Sequence, residues 1–92
     1  MGRQRSFEII SSAEIVTIGE LVRLTNTRYS TLKYYTEEGI LTFIQSEENL
    51  TRRYNRVQSI EHIERIKMLK SDGKTIQQIK KIILDDETRI ER

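Results

Sequence analysis

The chain contains neither cysteine nor proline. Without cysteine there are no disulfides, no thiolate metal sites and no thiol redox sensing. Without proline, helices are favoured and the turns fall to Gly, Asn and Asp. His62 is the single histidine, and with no Cys or second His beside it, it reads as a structural or exposed side chain rather than a metal ligand. No apolar run approaches the length of a bilayer span, and Met1-Gly2-Arg3-Gln4-Arg5 leads into no hydrophobic signal core. The sequence therefore reads as cytoplasmic, with no membrane partner. Glu37–Glu38 and Glu47–Glu48 fall at helix-end and loop positions, and there is no nucleophile with a base and no Gly-rich phosphate loop. Neither catalysis nor a cofactor is expected.

What is present fits one domain. At 92 residues, 36% hydrophobic and 33% charged, the chain can bury only about 60–68% of its unfolded surface, so the core is modest. The net charge of +2 is too small to indicate nucleic acid by itself, but its distribution is uneven. Nine bases (Arg52 to Lys81) stand against three acids, Glu61, Glu64 and Asp72, in that stretch. Acids cluster instead at Glu37–Glu38, Glu47–Glu48 and Asp85-Asp86-Glu87. Such asymmetry suits a surface with one phosphate-facing side, although solvated helix faces would look the same.

Along the chain, residues 1–14 read as a polar arm with an apolar patch at Phe7, Ile9 and Ile10, forming a short strand or helix. Ile15-Val16 can add a brief strand. Thr17-Ile18-Gly19-Glu20 spells a capping box that opens a first helix with Ile18, Leu21, Val22 and Leu24 inward. Thr25-Asn26-Thr27 breaks it, with Asn26 suited to a left-handed turn. A second helix is predicted from about Arg28 to Glu38, with Leu32 and Tyr35 inward and Gly39 as its left-handed cap. Two such helices joined by three polar residues make a helix-turn-helix. Ile40–Ile44 and Leu50–Tyr54 read as the strands of a hairpin with a polar tip at 46–49. Asn55 or Ser59 can cap a third helix carrying Val57, Ile60, Ile63, Ile66 and Leu69 inward with Met68 beside them. Asp72-Gly73 ends it, and a Thr75–Gln78 capping box opens a fourth helix with Ile76, Ile79, Ile82 and Ile83 inward. Residues 85–92 read as an acidic, fraying tail.

Four phrases in this order, Thr17-Ile18-Gly19-Glu20-Leu21, Thr31 through Leu41, Arg52-Arg53-Tyr54, and Gly73 with Thr75–Ile79, resemble the DNA-binding domain of the MerR family over roughly residues 15–84. The resemblance implies a mainly α winged helix-turn-helix with four helices and a two-stranded hairpin wing, acting as a bacterial-type transcription regulator on double-stranded DNA. It implies that the second helix enters the major groove and that the basic wing meets flanking backbone and minor groove. Arg28, Tyr29 and Ser30, in the first turn of that helix, are placed for base edges, where Arg can pair bidentately with guanine. Lys33, where the family usually carries Arg, and Tyr34, the first of its paired tyrosines, are expected at phosphate and groove. Adjacent helical positions diverge by about 100°, so one of Tyr34 and Tyr35 should be exposed. Arg52 and Arg53 match the wing's basic pair, but on a strand they face opposite ways.

The sequence departs from the family pattern at several points. Arg28 stands where a Ser cap is usual, so Thr27 is expected to cap the second helix. Thr42 replaces the usual proline, and the stretches from Gly39 to Tyr54 and from Tyr54 to Gly73 are each about one residue longer. No long dimerising helix or effector domain precedes Arg92, so no small-molecule effector is evident. Pairing as a homodimer would need the N-terminal arm, DNA-mediated contacts or residues beyond this chain. Two other readings fit the residues: an excisionase-like or plasmid-maintenance architectural DNA-binding protein, and a protein-interaction module docking a partner through Tyr29 and Tyr34.

Overall fold

A computed structural model describes residues 5–45 and 51–90, with side chains described as far as residue 85. The expected polar tip at 46–49, with Leu50, lies outside the described residues. The element order is α1 (Phe7–Ser12), β1 (Ile15–Val16), α2 (Ile18–Thr25), α3 (Tyr29–Glu37), β2 (Tyr54–Asn55), α4 (Arg56–Ser71) and α5 (Ile76–Ile90). The winged helix-turn-helix order is present, with a further short helix, α1, inside the N-terminal arm. α5 continues as a helix past Leu84, where an acidic tail is expected.

Local chemistry sets the ends of these helices. Ser6 caps α1 by accepting from the Ile9 amide. Thr17 accepts from the Glu20 amide while the Glu20 carboxylate accepts from the Thr17 amide, closing the predicted capping box. Thr75 and Gln78 repeat the device at the start of α5. Asn55, not Ser59, caps α4 by accepting from the Gln58 amide, and Ser59 is buried on its inner face. Asn26 ends α2 at φ 55°, and Gly39 follows α3 at φ 82°, a conformation that costs a side chain dearly.

One core unites the elements: Ile10 from α1, Val16 and Tyr54 from the two strands, Leu21, Leu32 and Tyr35 from the paired helices, and Ile63, Ile66, Ile79 and Ile83 from α4 and α5. Two expectations about this core are corrected. Val57 and Met68 do not belong to the inner stripe of α4; Met68 is 63% exposed. Each residue turns the helix by about 100°, so Met68 lies some 200° around from the buried Ile66, and the stripe passes instead through Ser59, Ile63 and Ile66.

Ile40–Ile44 does not form a strand either. Ile40 and Leu41 are both fully buried, which an alternating, half-exposed strand does not allow. Their amides both donate to the Tyr35 carbonyl, at 3.0 and 3.2 Å, so the run completes the end of α3. The antiparallel sheet joins β1 to β2, pairing Val16 with Tyr54 and Ile15 with Asn55. Ile44 and Arg53 form an isolated bridge whose two backbone hydrogen bonds measure 2.7 and 2.9 Å, joining the two sides of the wing.

Charged side chains tie distant segments together. Arg56 donates from Nε to the Ala13 carbonyl at 2.6 Å, and its amide donates to the Glu14 carbonyl at 3.0 Å. Lys67 Nζ donates to the Thr25 carbonyl at 2.7 Å, placing a positive charge at the negative end of α2. Arg5 pairs with both Glu20 carboxylate oxygens at 2.7 and 2.8 Å, and Arg23 donates to the Arg5 carbonyl.

The Arg5 hydrogen bonds, with those from Thr17, hold the Glu20 carboxyl down from its ordinary 4.5 to about 2. A depressed carboxyl pKa adds stability that is complete above the ordinary value and is lost as the pH falls through the folded one. Melting of the parent and of Glu20→Gln across pH 2–7 should therefore show a gap that is constant above 4.5 and narrows toward 2. A gap that did not narrow would show that the carboxylate's charge is not what matters there.

Candidate nucleic-acid interface

The turn between α2 and α3 is built from threonine hydroxyls. Thr25 is buried and donates from Oγ1 to the Leu21 carbonyl at 2.8 Å. Thr27 Oγ1 lies 3.0 Å from Thr25 Oγ1 and 3.2 Å from the Thr25 carbonyl. Thr27 therefore does not cap α3, contrary to expectation, because its hydroxyl is turned back into the turn. Arg28 occupies the cap position with extended backbone and no side-chain cap bond. The first amides of α3 are thus not taken by a capping side chain, and such amides favour anions.

Leu32 and Tyr35 sink one face of α3 into the core. Ser30, Lys33 and Tyr34 turn away from that face, and Arg28 and Tyr29, at the start of the helix, are exposed with them. Tyr29 is 54% exposed and is not a core aromatic. The paired tyrosines divide as helical geometry requires: Tyr34 is 44% exposed and Tyr35 only 3%, with ring centroids 6.2 Å apart. Lys80 Nζ lies 3.8 Å from the Glu38 carboxylate at the end of α3 and partly offsets its charge.

Two residues that the sequence reading left out of the site adjoin it. A cleft of about 500 Å³ runs beside α3, lined by Ser30, Thr31 and Tyr34 on one wall and by Lys70, Lys74 and Thr75 on the other. Both lysines flank the α4–α5 turn, where Gly73 at φ 91° reverses the chain. The basic excess after Arg52 already contained them; their position beside α3 follows only from the fold. Two bases of that excess, Arg56 and Lys67, are instead engaged with backbone carbonyls.

On the wing, Arg52 is half-buried and its guanidinium stands 4.7 Å above the centroid of the Phe43 ring. Arg53 is exposed while its backbone forms the bridge to Ile44. The two arginines thus share the wing but have different surroundings. His62 is half-buried and partnered, and among the described residues no group of three His, Cys, Asp or Glu side chains is placed to hold a metal. No helix of the described residues is long and apolar enough to cross a membrane.

The family model described as MerR HTH family regulatory protein matches residues 16–86. No curated protein and no solved structure matches significantly. The match takes in both helices of the helix-turn-helix, the wing, α4 and most of α5, and the chain belongs to the MerR HTH regulatory family.

Proposed function

We propose that this MerR-family DNA-binding regulator acts by sequence-specific binding of double-stranded DNA in the cytoplasm, with α3 in the major groove and the wing on flanking backbone and minor groove. The observation that carries the reading is the exposure along α3: Arg28 and Tyr29 at its start, and Ser30, Lys33 and Tyr34 on the side away from the buried Leu32 and Tyr35, all stand open to solvent. Arg28, Tyr29 and Ser30, at the start of the helix, serve as base readers. Lys33 and Tyr34 serve as backbone contacts, with Lys70 and Lys74 across the cleft adding phosphate contacts. Arg52 and Arg53 serve the flanking duplex. Binding of this kind orients by phosphate and discriminates by base edge, and no step of it needs a cofactor.

The test is selection of a preferred duplex from a random pool with the full chain, followed by sizing of the complex to count protomers. Affinity in the range of roughly 10⁻⁸ M or tighter is expected for the selected site. Lys33→Ala should weaken binding to all sequences and lower the salt slope by about one. Arg28→Ala and Ser30→Ala should change which sequence is selected. Parent-like binding by these three variants would refute the assignment of roles, and a pool that yields no preferred sequence would refute sequence-specific recognition.

A further inference from the structure

Arg52 is held by a connected series of contacts that begins on the recognition helix. Thr36, in the last turn of α3, and Tyr54, in β2, are both buried and their hydroxyl oxygens lie 2.9 Å apart. Thr36 spends its one hydroxyl proton on the Leu32 carbonyl, also 2.9 Å away, so the Tyr54 phenol is the donor between them. Tyr54 is fixed along its backbone by pairing with Val16. Its ring meets Phe43, with centroids 6.4 Å apart and planes tilted by 51°. The opposite end of the series is Arg52, over Phe43.

The Ile44–Arg53 bridge sets this register. It puts Phe43 across from Tyr54 and diagonal to Arg52, a separation that aromatic and long side chains span. Phe43 is 38% exposed, so its ring is not spent wholly on the core. Part of it forms a platform beside the wing. An arginine held over an aromatic face keeps its charge and loses side-chain freedom before any ligand arrives, which is how pre-organisation raises affinity.

We infer that Phe43 is a positioning residue for Arg52: its ring, seated on Tyr54 and through Tyr54 on Thr36 of α3, fixes where the wing guanidinium stands relative to the recognition helix. This rests on the reading of Arg52 as a DNA contact. Phe43 need not touch DNA, and the spacing between the groove-reading residues and the flanking contact becomes a property of the protein interior.

The experiment is a double-mutant cycle on the duplex recovered by selection, using Phe43→Leu, Arg52→Ala and the pair, with affinity measured across salt concentrations well below melting. Phe43→Leu keeps apolar bulk and removes the π face. It should weaken binding by about two- to fivefold in the parent and have no effect in the Arg52→Ala background. Phe43→Tyr, which restores the face, should rescue binding. A general loss of structure would lower affinity equally in both backgrounds, so equal losses overturn the proposal, as does parent-like binding by Phe43→Leu. If Arg52→Ala itself leaves affinity and salt slope unchanged, the reading of Arg52 as a DNA contact is what fails.

Discussion

Replacing Leu32 with alanine is expected to destabilise the protein by about 2–5 kcal/mol, the range for emptying a fully buried leucine site. Leu32 has no exposed surface and anchors the middle of α3 to the core. For a domain of this size each kcal/mol moves the melting point by roughly 4–8 °C, so the melting curve should shift down by about ten degrees or more. A shift of only a degree or two would mean that α3 is not held by this face. Leu32 points away from the proposed DNA surface, so the native fraction of the variant should bind a selected duplex as the parent does. Excess duplex should then raise the melting point of both proteins by mass action. A variant that gained nothing from the duplex would show that the buried face and the reading face are not separable.

The second large effect concerns the buried hydroxyl pair. Thr36→Val leaves the Tyr54 phenol in the core with a proton and no acceptor, a desolvation penalty of about 1–3 kcal/mol. Tyr54→Phe removes the phenol but leaves Thr36 still donating to the Leu32 carbonyl, so its cost is the ordinary value of one hydrogen bond, about 0.5–1.5 kcal/mol. The double variant replaces both partners by apolar groups of nearly the same shape and should be more stable than Thr36→Val alone. Chemical denaturation of the three proteins gives the order directly. Equal stabilities for the two single variants would overturn the assignment of donor and acceptor, and with it the asymmetry.

What the sequence disclosed about this fold is what is settled within a few residues. The boxes at Thr17–Glu20 and Thr75–Gln78, the left-handed Asn26 and the terminal Gly39 each satisfy their neighbours' backbone groups within one helical turn, so residue type and spacing suffice. The inward face of α3 was equally legible, because Leu32 and Tyr35 sit three apart in an otherwise polar helix. Where a partner lies far along the chain, the sequence was mute. Nothing in Ile15-Val16 announces Tyr54-Asn55 as its mate, or in Lys67 that its amine reaches the Thr25 carbonyl, 42 residues away.

Thr27 shows the intermediate case. Its residue type favours a cap, but a competing local acceptor at Thr25 takes the hydroxyl. Ile40 and Leu41 look like strand residues by composition, and only their joint burial beneath the end of α3 shows otherwise. For the candidate site, the residues on α3 and the wing arginines could be named from their resemblance to the family. Lys70, Lys74 and the platform role of Phe43 required knowing which surfaces lie side by side.

The hydrogen bonds from Arg56 to the Ala13 and Glu14 carbonyls, with Ile10 in the core, bear on how this reading head can be transplanted. A fusion protein joined at the family boundary, residue 16, would leave behind the Ala13 carbonyl that accepts from the partly buried Arg56 guanidinium, the Glu14 carbonyl that accepts from its amide, and one wall of the interior. The portable unit is therefore longer at its front than the shared family region. A chimera that borrows this specificity has to be spliced ahead of Arg5, whose carboxylate partner lies inside α2.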